Sequence, residues 1–283
     1  MEHITTVAGI RSAVAAARVR GQSIGFVPTM GYLHEGHLQL VDEARRRSGC
    51  VVMSLFVNPT QFGPNEDFSR YPRDLSGDSA KAASRGTDLL FNPDVSEMYP
   101  SASSLRVVAD DLPSRWEGKV RPGHFDGVLT VVAKLFNIVL PDIAVFGRKD
   151  FQQATLIRRM VRELNFPIDL IVAPTVREAD GLAMSSRNAY LDADARQSAL
   201  ALVESLKAAA RAFAAGETDG ATLTQLGVDS LATHPEVAPD YFAVVDPVAM
   251  QAVEKATHDS VAIVAARVGK TRLIDNMILG EAK

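Results

Sequence analysis

The stretch Ser23-Ile24-Gly25-Phe26-Val27-Pro28-Thr29-Met30-Gly31-Tyr32-Leu33-His34-Glu35-Gly36-His37 decides the fold. Ser23–Thr29 is a short, mostly apolar run, the pattern of a strand buried on both faces. A glycine-bearing loop follows, and Gly36–Ser48 then reads as a helix. Strand, loop and helix in that order open a β–α–β unit. The pattern recurs down the chain. Cys50–Phe56, Asp88–Asn92, Ile143–Phe146 and Ile168–Ala173 also read as strands, and Leu75–Arg85, Gly127–Val139 and Phe151–Asn165 as helices. In the helix at Gly127–Val139, residues Val128, Val131, Val132, Leu135 and Val139 share one face. Apolar strands alternating with helices imply a parallel sheet covered on both sides, a doubly wound α/β fold whose ligands sit at the carboxyl ends of the strands.

After Pro174 the pattern changes. Asp192–Ala214 predicts one long helix with Ala199, Leu202, Leu206, Ala209 and Phe213 on a single stripe. Gly216–Gly220 predicts a turn, followed by a second helix and two or three strands at Tyr241–Val245, Val261–Arg267 and Arg272–Asp275. The expected organisation is a doubly wound domain at residues 1–175 and a smaller α+β domain at 176–283.

Composition narrows the function classes. Apolar residues make up 47% and charged residues 23% of 283, the balance of a globular chain. A net charge of −4 argues against a general nucleic-acid surface, which carries a basic face. Cys50 is the single cysteine, so neither a disulfide framework nor a cysteine zinc site is available within the chain. The N-terminus MEHITTVAGIRSAV has no apolar segment behind a basic start, and no apolar run approaches the roughly 18 residues of a membrane span. The expectation is a cytoplasmic protein with neither nucleic acid nor membrane as partner.

Four stretches carry chemistry. In Pro28–His37, the start of a helix offers N–H groups and the positive end of a dipole to an anion, and Gly31 and Gly36 permit close approach. His34 and His37 lie three apart and share a helical face, where two imidazoles stabilise charge on a phosphoryl group. Their spacing is not the His-Glu-x-x-His of a zinc protease. Phe56–Gly63 follows the second strand and places Asn58 and Gln61 on the same sheet edge, suited to hydroxyls and a carboxylate; alone it also reads as a polar turn. Phe146–Gln153 offers Lys149 as a point charge, Asp150 as a ribose acceptor or a plain helix cap, and Gln153 one turn on. Gly181–Asn188 brings Ser185, Ser186 and Arg187, a polyphosphate set that reads equally as a helix start or surface turn. Gly269-Lys270-Thr271 is not a phosphate loop, because Val264 stands where the upstream glycine belongs. No Gly-x-Gly-x-x-Gly follows a strand, and no Gly-x-Ser-x-Gly elbow stands between a strand and a helix.

These stretches, in this order, resemble the pantothenate synthetase family. The likeness runs on through Gly118–Val128 (GKVRPGHFDGV), Ala173–Leu191 (APTVREADGLAMSSRNAYL) and Ala265–Asn276 (AARVGKTRLIDN), and covers nearly the whole chain. His-x-Gly-His alone would indicate only the wider nucleotidyltransferase superfamily. A phosphopantetheine adenylyltransferase would carry Phe-Asp-Pro before the histidines, where Pro-Thr-Met-Gly-Tyr stands. The smaller domain is expected to act as a lid on the Rossmann-like domain, because the phosphate candidates Ser185, Ser186 and Arg187 open it while His34, His37 and Lys149 precede Pro174. The resemblance implies a two-step reaction: ATP and pantoate give pantoyl adenylate and pyrophosphate, then β-alanine displaces AMP. It further implies that Met30, Gly31, His34, His37, Gly147, Arg148, Lys149, Asp150, Val176, Met184, Ser185, Ser186 and Arg187 hold ATP. His34, His37, Lys149, Ser186 and Arg187 would do the catalytic work, with His37 matching the residue usually assigned as proton donor. Gln61, Gln153 and Asn58 would meet pantoate and β-alanine. A homodimer and magnesium on the phosphates complete the expectation; the resemblance identifies no protein ligand for the metal.

Overall fold

The computed structural model describes residues 1–64, 66–100 and 105–281. The chain divides into two compact units. Met1–Ser114, Arg121–Arg148 and Leu156–Pro174 make the first; Arg115–Val120, Lys149–Thr155 and the chain from Thr175 onward make the second.

The first unit is built on six parallel strands. They are β1 (Glu2–Ile4), β2 (Ile24–Thr29), β3 (Cys50–Leu55), β4 (Leu89–Phe91), β5 (Ile143–Gly147) and β6 (Asp169–Ala173), in the order β1-β4-β3-β2-β5-β6. The five strands expected from sequence are all present, each within two residues at either end. β1 and the helix Val7–Val19 were not expected. β1 has three residues and buries only Ile4, and the helix turns the thin stripe Ile10, Val14 and Ala17 inward. β1 is too short to show a period, whereas the helix carries one, Val7, Ile10, Val14 and Ala17 at helical spacing, that was passed over.

Successive strand residues point to opposite faces, and β2 shows both faces covered. Phe26 meets Phe136 of the helix His124–Val139 edge to face at 6.5 Å. Val27 clusters instead with Leu38, Val41 and Ala44 of the helix Glu35–Arg47. The sheet is thus doubly wound. The strand order reverses at β2, flanked by β3 on one side and β5 on the other. Crevices for ligands open at the carboxyl ends of the strands at such a reversal.

The helix His124–Val139 also fixes the turn Pro59–Gln61. Gly127 makes this possible: a Cβ there would lie 2.6 Å from the Thr60 carbonyl carbon and 2.7 Å from Gln61 Cα. Backbone on both sides leaves no flexible side chain to give way.

The second unit carries an antiparallel sheet, β7 (Val237–Val245), β8 (Val261–Val268) and β9 (Thr271–Ile278), in that order. Helices Leu200–Ala214 and Gly220–Ala232 bury Leu202, Leu206, Leu223 and Leu231 with Phe242, Val244 and Val264 of the sheet. The helix expected over Asp192–Ala214 is two helices, Ala193–Ser198 and Leu200–Ala214. Ser198 Oγ donates to the Asp194 carbonyl at 3.0 Å, the back-bonding that bends a helix. Among the described residues no helix is long and apolar enough to cross a membrane.

Gly127→Ala should therefore lower stability by about 1–3 kcal/mol, the usual loss from overpacking a fixed site. Urea unfolding followed by circular dichroism measures it; a variant as stable as the parent would show that the turn yields.

Candidate active site

The loop after β2 turns through the left-handed region, with Gly31 at φ +89° and Tyr32 at +52°. Glycine adopts this freely and tyrosine does not, so something must hold it. That something is Asp78, 2% exposed on the helix Leu75–Ser84. Its carboxylate accepts from Tyr32 N–H at 2.7 Å and from Leu33 N–H at 2.6 Å. One turn on, Lys81 Nζ donates to the Leu33 carbonyl at 2.8 Å.

The loop delivers His34 to the N-cap of the helix Glu35–Arg47. His34 Nδ1 accepts from Gly36 N–H at 3.2 Å, and His37 Nδ1 accepts from His34 N–H at 3.3 Å. The two rings lie 4.0 Å apart, inclined at 34°. Because each Nδ1 accepts, the proton of each neutral ring sits on Nε2. Amides that the sequence offered to an anion are thus taken by imidazoles. The Nε2–H groups of the paired rings lie at this positive helix end.

The turn after β3 is a closed amide network. Asn58 Nδ2 donates to Gln61 Oε1 and to the Gly127 carbonyl, both at 3.1 Å. Asn58 Oδ1 accepts from Thr60 Oγ1 and from Tyr99 Oη, both at 2.9 Å. Gln61, 7% exposed, therefore has its oxygen bound, and its Nε2 donates to Met30 Sδ at 3.2 Å. The Gly118–Val128 stretch holds this turn from below. His124 Nδ1 lies 2.8 Å from the Gln61 carbonyl, and Arg121 donates to His124 Nε2 at 3.0 Å. Since arginine only donates, His124 accepts at Nε2 and donates from Nδ1. Arg121 also clasps both oxygens of Glu66, at 2.7 and 2.6 Å. Burial works to raise the Glu66 carboxyl, but Arg121 brings it below the ordinary glutamate range.

β5 lies beside β2 and ends at Gly147, which pairs with Ala173; Arg148 N–H then donates to the Ala173 carbonyl at 2.8 Å. The first unit thus gathers Met30, Gly31, His34, His37, Gly147 and Arg148 behind the two strands at the reversal, with Asn58 and Gln61 behind β3.

The second unit holds the other candidates. Lys149, Asp150 and Gln153 lie at its Lys149–Thr155 segment. Val176 and Met184 meet across a hairpin, Met184 N–H donating to the Val176 carbonyl at 2.9 Å, with Gly181 at φ +97° near its tip. Ser185 caps the turn Ser186–Tyr190 by accepting from Arg187 N–H at 3.2 Å, and Ser186 is buried. Asn188 ties the turn back, donating to Glu178 Oε1 at 2.8 Å and to the Ala183 carbonyl at 3.1 Å.

Sequence reasoning passed over Asp78, Lys81, Tyr99, Arg121 and His124. The available signal for Asp78 was an acid four residues before Ala82 on the buried side of a helix. For Arg121 and His124 it was their place in the Gly118–Val128 segment that carries the family likeness. Among the described residues no three His, Cys, Asp or Glu side chains cluster as metal ligands.

A carboxyl lowered in the folded state stabilises above its unfolded pKa and loses that contribution as pH falls. Glu66→Gln should therefore cost about 1 kcal/mol at pH 7, as for a partly buried pair. The deficit should shrink below about pH 4.3, the ordinary glutamate value. Denaturant midpoints of both proteins between pH 3 and 7 test this; a constant deficit would contradict it.

A profile of the family described as Pantoate-beta-alanine ligase matches residues 2–278. The pantothenate synthetase of Moorella thermoacetica is 53% identical over 279 residues, covering 99% of both chains. A crystal structure of pantothenate synthetase from Thermus thermophilus superposes with a TM-score of 0.94 at 48% identity, covering 99% of both chains. A second, pantoate-beta-alanine ligase from Francisella tularensis complexed with beta-gamma ATP and beta-alanine, gives 0.80 at 34% identity, covering 99% of this chain and 98% of that one. This chain belongs to the pantoate-beta-alanine ligase family of enzymes.

Proposed function

We propose that the protein condenses pantoate with β-alanine at the expense of ATP, through a pantoyl adenylate. In the first step a pantoate carboxylate oxygen attacks the α-phosphorus and pyrophosphate leaves. In the second the β-alanine amine attacks the acyl carbon, and AMP leaves with the former carboxylate oxygen. Pantothenate is released after the amine loses its proton.

The observation that carries this reading is the reciprocal capping of His34 and His37, which fixes two Nε2–H donors at the helix start behind β2. Displacement of pyrophosphate spreads negative charge over the phosphoryl oxygens, and preorganised donors stabilise it without a proton transfer. We therefore assign His34 and His37 as charge stabilisers. Met30, Gly31, Gly147, Arg148, Asp150, Val176, Met184 and Ser185 would line the nucleotide. Lys149 would meet phosphate as a point charge, and Arg187 as a fork beside Ser186. Gln61 and Gln153 would bind pantoate, with Asn58 acting by orienting Gln61. The Francisella relative, crystallised with an ATP species and β-alanine, supports this choice of ligands.

Magnesium enters as the counter-ion of the phosphates. The described residues offer it no ligand cluster, and no step here runs through a protein-held metal. A cytoplasmic homodimer, and a lid formed by residues 176–283 to keep water from the labile adenylate, belong to the same proposal.

Labelled pyrophosphate should enter ATP when pantoate is present and β-alanine absent; exchange that strictly requires β-alanine would reject a separate first step. His37→Ala should slow adenylation by roughly 10²–10³ in single turnover, the range for one lost preorganised donor. Normal adenylation with slow β-alanine attack would reassign the histidine.

A further inference from the structure

The Ala265–Asn276 stretch shares the family pattern, yet none of its residues has a role above. It forms β8, a tight turn at Gly269 and β9. Alternate residues of β9 are buried until Asp275 and Asn276, where two adjacent polar side chains are both 3% exposed.

We propose that Arg177, Asp275 and Asn276 are positioning residues that tie the main chain of Lys149 to the hairpin bearing Met184, Ser185, Ser186 and Arg187. The proposal deepens the ATP-binding reading and rests on it. Arg177 Nη1 donates to Asp275 Oδ2 at 2.6 Å, and Nη2 to Oδ1 at 3.0 Å. The same guanidinium donates to the Gly181 carbonyl near the hairpin tip and to the Asn276 carbonyl on β9, each at 3.0 Å. Arg177 pairs with Ala183 across the hairpin, next to the Val176–Met184 hydrogen bond. Asp275 Oδ1 also accepts from Asn276 N–H at 2.7 Å, and Asn276 Nδ2 donates to the Lys149 carbonyl at 2.9 Å. Every link lies within the second unit.

One carboxylate thus sets two cationic groups that the reaction must aim at one triphosphate. Lys149 is fixed at its carbonyl, and Arg187 through the base of its turn. Burial pushes the Asp275 carboxyl up, against the pull of Arg177 and of the Lys149 charge. A buried ion pair of this kind is a weak source of stability, and its best-attested use is to fix register. The register fixed here is that of the Lys149 backbone against the Ser185–Arg187 turn. A misplacement of about 1 Å at such groups slows chemistry by about a hundredfold.

The test uses the full-length enzyme and two isosteric or charge-conserving variants. Asn276→Asp keeps the shape but turns an acceptor toward the Lys149 carbonyl. Arg177→Lys keeps the charge but loses the fork. Single-turnover adenylation should slow about 10–100-fold in each, with a raised KM for ATP. Attack of β-alanine on chemically prepared pantoyl adenylate should stay within about twofold of the parent, since no triphosphate is bound in that step. Equal loss in both half-reactions, or none in either, would reduce the cluster to ordinary structure and overturn the proposal. A parent enzyme that fails to exchange pyrophosphate would overturn the ATP reading itself, and this proposal with it. Should Asn276→Asp not fold, Asn276→Ala removes the same donor without burying a charge and carries the same comparison.

Discussion

The start of a helix leaves N–H groups that need acceptors, and at the helix Glu35–Arg47 those of His34 and Gly36 find imidazole nitrogens. This single constraint organises the candidate site. Capping uses Nδ1 of His34 and His37, which sends the ring protons to Nε2 and brings the rings to 4.0 Å. A serine or aspartate cap would start the helix equally well but would present no N–H donor. The preceding loop must reach the cap through two left-handed residues, and so it depends on the buried carboxylate of Asp78.

The other loops repeat this arrangement. Each is held by a polar side chain from a distant segment: Asp78 behind Tyr32 and Leu33, Arg121 and His124 behind Gln61, Asn276 behind Lys149. Buried polar groups must find partners, so each loop and its support form a satisfied set. That satisfaction fixes the loop backbone between the supports, alongside apolar contacts such as Leu33 in the core and Phe56 against Tyr99.

This division also explains what could be read from sequence. Strands buried on both faces are runs of apolar residues, and Cys50–Leu55 and Ile143–Gly147 were legible for that reason. His34 and Lys149 could be singled out as candidates because polar and glycine positions follow two of those runs. β1 was not, since three residues with one apolar side chain give no period. Nor was the break before Leu200, where the apolar stripe continues unbroken while Ser198 bends the backbone. The supporting residues were hidden for another reason. Asp78 meets a loop some 46 positions away, and Arg177 meets Asp275 at a separation of 98. Local pattern carries no trace of such pairings. The helix Phe151–Glu163 likewise shows one continuous period, although its residues 151–155 belong to the second unit and 156–163 to the first.

The turn at Asn58 has one more consequence. A carboxamide is ambivalent, because half a rotation exchanges its donor and acceptor ends. Here the ambivalence is removed in sequence. Burial raises the Tyr99 phenol, which therefore keeps its proton and donates to Asn58 Oδ1. That faces Asn58 Nδ2 toward Gln61 Oε1, and Gln61 is left to speak only through its NH₂ end. Three side chains behave as a one-way conductor of polarity. What they deliver at Gln61 is a fixed sign: its oxygen is occupied, and its nitrogen faces Met30 Sδ as a donor.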